Sequence, residues 1–190
     1  MKATLDEAIR RVERQDAYLV ASAVLLEDDS NLHVAIGKVI ATPRRRNPFH
    51  WAKEGREARE RMIECIIANG ICGHVAVHHP TARSGQERAR AAVLTALIPV
   101  LINEGVDELI IEGRTQRQDQ TDQATLVAAL SGRPSGILTY SWGTKADRRL
   151  WLADALCGAA STYLDGSDPK WFDELREGGV VKEPLYLGGA

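Results

Sequence analysis

The 190-residue chain has no apolar run approaching the roughly 18 residues that a membrane-spanning helix needs. Its opening, MKATLDEAIRR, lacks the apolar segment of a secretory signal. The expectation is a cytoplasmic protein with no membrane partner. Cysteine is scarce: Cys65, Cys72 and Cys157 are odd in number and scattered, which suits reduced thiols and excludes a disulfide framework. No Cys/His cluster has zinc-ligand spacing. There is no Walker motif and no dinucleotide glycine fingerprint. Ser84-Gly85-Gln86-Glu87 reads as a helix start and not as a phosphate loop. Excess charge is missing as well: the formal net charge of -2 gives no global attraction to nucleic acid, so such contact needs a local patch. No repeat, low-complexity tract or linker marks a second domain, and residues 1–190 are expected to form one domain.

What is present is the composition of an ordinary globular chain, 44% hydrophobic and 26% charged, with enough length for a sizeable core. Residues 17–26 (AYLVASAVLL) form a continuous apolar run suited to a strand covered on both faces. Asp28 to Asn31 offer turn chemistry. Residues 32–40 fit a helix, with a strand as the alternative. Arg44-Arg45-Arg46 lie in a basic loop between two prolines, and Phe49-His50-Trp51 could form a short strand. Helices are expected at 54–69, 84–104, 121–130, 145–163 and 170–176, and strands at 71–79, 106–112 and 137–142. Residues 113–122 read as a polar loop, and the end of the chain as a Gly-containing tail. The first 16 residues satisfy two patterns. Leu5, Ala8, Ile9 and Val12 recur at helical spacing, with Thr4 and Glu7 as a capping box. The competing reading is a strand over residues 2–6 that ends in the acids Asp6 and Glu7. The order of elements predicts a mixed α/β sheet with helices on both faces.

Within the helix expected at 145–163, Leu150 to Ala160 are apolar nearly all round, so the helix should be buried. Asp154 is the odd residue there. A buried carboxylate costs several kcal/mol unless it is protonated, paired or bound to a cation. Glu112 ends the strand LIIE, and Asp6 ends the candidate first strand. Ends of neighbouring strands can converge. Grouped carboxylates repel one another, and a divalent cation removes that conflict. Two such ions about 4 Å apart support phosphodiester cleavage. Spacing alone leaves open whether these acids converge or are unrelated, and whether Asp154 faces a site or solvent.

Several short pieces occur in a recognisable order: Leu5-Asp6-Glu7-Ala8, Tyr18-Leu19-Val20-Ala21, Phe49-His50-Trp51, Leu109-Ile110-Ile111-Glu112-Gly113-Arg114 and Leu152-Ala153-Asp154-Ala155. Together they resemble the bacterial family known as domain of unknown function 3800, which is assigned a ribonuclease H-like fold. The resemblance covers most of the chain with short, degenerate motifs. It implies a metal-dependent nuclease in which Asp6, Glu112 and Asp154 surround Mg²⁺ or Mn²⁺, with Glu7 as an auxiliary acid. It also favours the strand over residues 2–6. The chain departs from the family where Ala8 stands in place of a Ser. The alternative is a catalytically inactive ribonuclease H-like module that binds a protein or nucleic acid.

Other candidates are more modest. Arg44, Arg45 and Arg46, with Arg10, Arg11 and Lys53, could meet nucleic-acid phosphates or simply form a solvated basic surface. His50 is a candidate proton carrier at the edge of the site. Arg114 is expected in an ion pair, for which Glu112 is one partner, or on a phosphate. His74, His78 and His79 read as a strand-end cluster. The stretch from Trp142 to Trp151 is a candidate homodimer contact.

Overall fold

The computed structural model describes residues 1–12, 14–25, 34, 36–37, 48–82 and 85–188. Arg44 to Arg46, the turn at Asp28 to Asn31 and most of the stretch 32–40 lie outside the described residues, as does Ser84. Six strands form one sheet: β1 (Lys2–Val12), β2 (Gln15–Leu25), β3 (Cys72–Thr81), β4 (Glu108–Glu112), β5 (Thr139–Gly143) and β6 (Leu185–Leu187). Their order across the sheet is β5-β4-β1-β2-β3-β6. β1, β2 and β3 pair antiparallel, while β4 joins the free side of β1 in parallel and β5 joins β4 in parallel. A three-strand meander extended by two strands parallel to its first is the ribonuclease H-like arrangement.

Helices cover the two faces of the sheet, among them α1 (Arg56–Ala68), α2 (Gln86–Asn103), α3 (Gln116–Leu130), α4 (Leu150–Leu164) and α5 (Lys170–Glu177). Two cores result. α1, α4 and α5 pack over one face with Val75 and Val77 of β3. α2 and α3 pack over the other with Ala3 and Leu5 of β1 and Leu109 and Ile111 of β4. Every residue from Leu150 to Ser161 is buried, so α4 is the central helix of its layer. Among the described residues, no helix is long and apolar enough to cross a membrane.

The first strand shows why the opening residues read ambiguously. β1 runs to Val12, well past residue 6, and no helix forms there. The apolar positions fit both periods: Ala3 and Leu5 pack into one core, while Ala8 and Val12 lie against the other. Pairing on both edges decides the matter, because β1 is a central strand bonded to β2 and β4.

Four further expectations are corrected. Phe49-His50-Trp51 forms no strand. Instead a 3₁₀ turn spans Trp51–Lys53, with Phe49 and Trp51 buried. The polar stretch at 113–122 is mostly helix. Thr115 and Gln118 make a capping box, and α3 starts five residues before the expected 121. Its glutamines are good helix formers on a solvent face, so the stretch lacks the apolar stripe that marks a helix in sequence. Residues 145–149 precede α4 as turns. The Gly-containing tail supplies β6, which pairs in parallel with β3.

A candidate acidic site midway along the first strand

The parallel ladder between β1 and β4 runs from Lys2 against Glu108 to Leu5 against Ile111. One step further, Asp6 and Glu112 come side by side and line the same pocket. α4 crosses over this point. Thr4 Oγ1 donates to the Arg149 carbonyl at 3.1 Å, and the Cys157 thiol donates to the Asp6 carbonyl at 3.3 Å. These contacts set the helix so that Asp154 reaches the same pocket as Asp6 and Glu112. Three acids from segments far apart in sequence thus line one cavity of about 180 Å³, together with Glu7, His50, Arg90, Arg114 and Lys145.

Asp154 is held in place by the aromatic turn. The backbone N–H of Trp51 donates to its Oδ2 at 2.7 Å, and His50 Nδ1 lies 3.3 Å from its Oδ1. Trp51 itself sits on α4 at Gly158. A β-carbon at that position would lie 2.0 Å from Trp51 Cγ, so only glycine admits the indole. The other face of the turn is steadied by Arg59, whose Nε and Nη2 donate to the Trp51 carbonyl at 3.1 and 3.0 Å.

The electrostatics follow from burial and crowding. Asp6 is 6% exposed. Its carboxyl is pushed well above the usual carboxylate range, first by burial, then by the neighbouring Glu112, then by the charge of Asp154. Lys145 opposes this shift. Its Nζ stands 3.4 Å from Glu112 Oε1. Burial would lower the Lys145 ammonium, but the charges of Asp154, Asp6 and Glu112 outweigh it and hold it above the ordinary lysine range. Lys145 is therefore the positive centre of the acid group. Among the described residues, no group of three or more His, Cys, Asp or Glu side chains is placed to hold a metal ion.

The remaining pocket residues form a second network. Arg90 is 1% exposed, and its Nε donates to both Asp122 oxygens at 2.8 and 2.9 Å. Arg90 also pairs with Glu7. Arg114 is in ion pairs, with Glu87 and Asp122 among its partners. It meets Glu87 through two nitrogens at 3.0 and 3.2 Å and Asp122 at 2.9 Å. Glu7 stays close, with Oε1 3.6 Å from Arg114 Nη1. The histidines of β3 lie elsewhere: His74 is near Cys72 and Glu104, and His78 contacts Thr81.

Of the residues singled out in the sequence, Asp6, Glu7, His50, Glu112, Arg114 and Asp154 all line the one pocket. Lys145, Arg90 and Asp122 were missed. Arg90 left a trace, as a lone cation in the apolar run from Ala89 to Ile98. Lys145 left none, since its loop reads like any polar turn.

No known protein family and no curated protein matches the sequence. Among solved structures, a chain of the PCNA:RNase HII complex from Archaeoglobus fulgidus is similar in fold. The match covers 94% of this chain and 77% of that one, at 15% identity and a TM-score of 0.49. The fold assignment stands on the sheet order and the helices on both faces.

Proposed function

We propose that the chain is a Mg²⁺- or Mn²⁺-dependent nuclease whose acidic site is Asp6, Glu112 and Asp154. The observation that carries this reading is the meeting of those three carboxylates in one pocket from β1, β4 and α4. The donor chemistry fits: carboxylate oxygens suit hard divalent cations, and Asp6 is buried beside two further carboxylates. Asp6, Glu112 and Asp154 would hold the ion, in competition with the Lys145 ammonium. A bound divalent ion supplies Lewis-acid polarisation of a phosphate oxygen and a more acidic water. Glu7, tied to Arg90, borders the site as an auxiliary acid. His50, oriented by Asp154, is positioned to carry a proton to or from a reacting oxygen. The motif order supports membership of domain of unknown function 3800.

The second reading is a catalytically inactive ribonuclease H-like module. It is favoured by Lys145, which already supplies a positive charge among the acids, and by the lack of a ready metal-holding group among the described residues. Cleavage assays on single- and double-stranded DNA and RNA separate the two. The nuclease reading predicts cleavage with Mn²⁺ or Mg²⁺ that stops with chelator and in Asp6→Asn. Absence of cleavage across that panel supports the inactive module.

A further inference from the structure

A second cavity, of about 410 Å³, adjoins the acidic pocket. It lies between the later part of β1, the 3₁₀ turn and α4, and Glu7, His50 and Asp154 line both spaces. We propose that this groove seats one nucleoside of a substrate strand, beside the phosphate that reacts in the acidic pocket. The inference rests on the nuclease reading and deepens it.

Size supports the division of labour. The acidic pocket, at about 180 Å³, suits a phosphate group with its ions but not a sugar and base as well. The groove falls within the range of small-ligand sites, about 300–1,000 Å³. Its lining has the chemistry of a nucleoside seat. Trp51 is 4% exposed and forms part of the groove's floor, packed against Gly158 of α4. The hydroxyls of Ser161 and Thr162 donate to carbonyls of their own helix, which leaves their oxygens as acceptors. A nucleoside brings both acceptors and donors, on a flat apolar body. Because the two spaces share a wall, a strand whose phosphate enters the pocket would lay its adjoining nucleoside in the groove.

The test is binding of a fluorescein-labelled ten-nucleotide single strand, DNA and RNA in parallel, read by anisotropy with Ca²⁺ to suppress cleavage. Ala52 and Ser167 line the groove with exposed side chains, so Ala52→Trp and Ser167→Trp fill it from two sides without disturbing a core. Each variant is expected to weaken strand binding at least ten-fold, with unchanged circular dichroism and unchanged heat of Mn²⁺ titration. A nucleoside monophosphate is expected to displace the strand from the wild type at concentrations where inorganic phosphate does not. Wild-type affinity in both variants, no strand binding by the wild type, or equal displacement by phosphate would each overturn the groove. If the wild type binds no Mn²⁺ yet strand binding still depends on Ala52 and Ser167, the groove stands and the nuclease reading falls.

Discussion

Asp6 is a buried carboxyl crowded by two further acids. Burial and the neighbouring Glu112 and Asp154 raise its acid in the folded chain. A raised folded value means that protonation favours the native state. That contribution is full below the ordinary carboxylate range and is lost as pH rises through the elevated value. Above the ordinary carboxylate range, where the unfolded chain ionises Asp6 freely, its place in the folded site therefore works against folding. Asp6→Asn should melt higher than the wild type at pH 7 in chelator, by about 2–4 °C for each kcal/mol relieved. The gain should shrink as pH falls toward the ordinary carboxylate range, where the wild type is neutral too. Thermal melts across that range test it, and a lower midpoint for Asp6→Asn at pH 7 would contradict it. At this scale the acids were legible, because a carboxylate in an apolar helix or at the end of a buried strand is conspicuous. Their neutralising partner was not, since Lys145 meets Glu112 across 33 positions that no local pattern links.

Among the elements, α4 is the one that assembles the site. Its all-round burial could be read directly from the run Leu150 to Ala160, and the structure buries every one of those residues. What could not be read was the partner that its small residues admit. That partner is Trp51, seated on Gly158, whose backbone N–H then fixes Asp154. Gly158→Ala should force the indole off its seat. Overpacking of this kind typically costs about 1–3 kcal/mol. The expected result is a melting midpoint lower by several degrees together with a changed tryptophan emission. An unaltered midpoint and spectrum would show that Trp51 does not depend on Gly158. β1 teaches the opposite lesson about legibility. Its apolar residues satisfy helical and strand periods at once, and only ladders to β2 and β4 settle which one operates. The start of α3 was missed for a related reason, since a solvent-exposed helix of glutamines carries its signal in the cap and not in an apolar stripe.

Across the whole molecule, the sheet order turns separate motifs into one place. β1 sits between β2 and β4, so Asp6, midway along β1, and Glu112, at the end of β4, become neighbours, and α4 lies over them from one face. From the other face, α2 brings Arg90 to pair with Glu7, and α3 brings Asp122 to hold Arg90. The mixed sheet with two helical layers followed from the alternation of apolar runs and helical stretches. The long-range pairings did not, because they join residues whose proximity exists only once the sheet has formed. The central claim is that this convergence is a divalent-metal site. Calorimetric titration of Mn²⁺ into the wild type, Asp154→Asn and Lys145→Met tests it most directly. The metal site predicts binding by the wild type, its loss in Asp154→Asn, and tighter binding in Lys145→Met, where the competing ammonium is gone. Binding that persists unchanged in Asp154→Asn, or no binding by either the wild type or Lys145→Met, would contradict it.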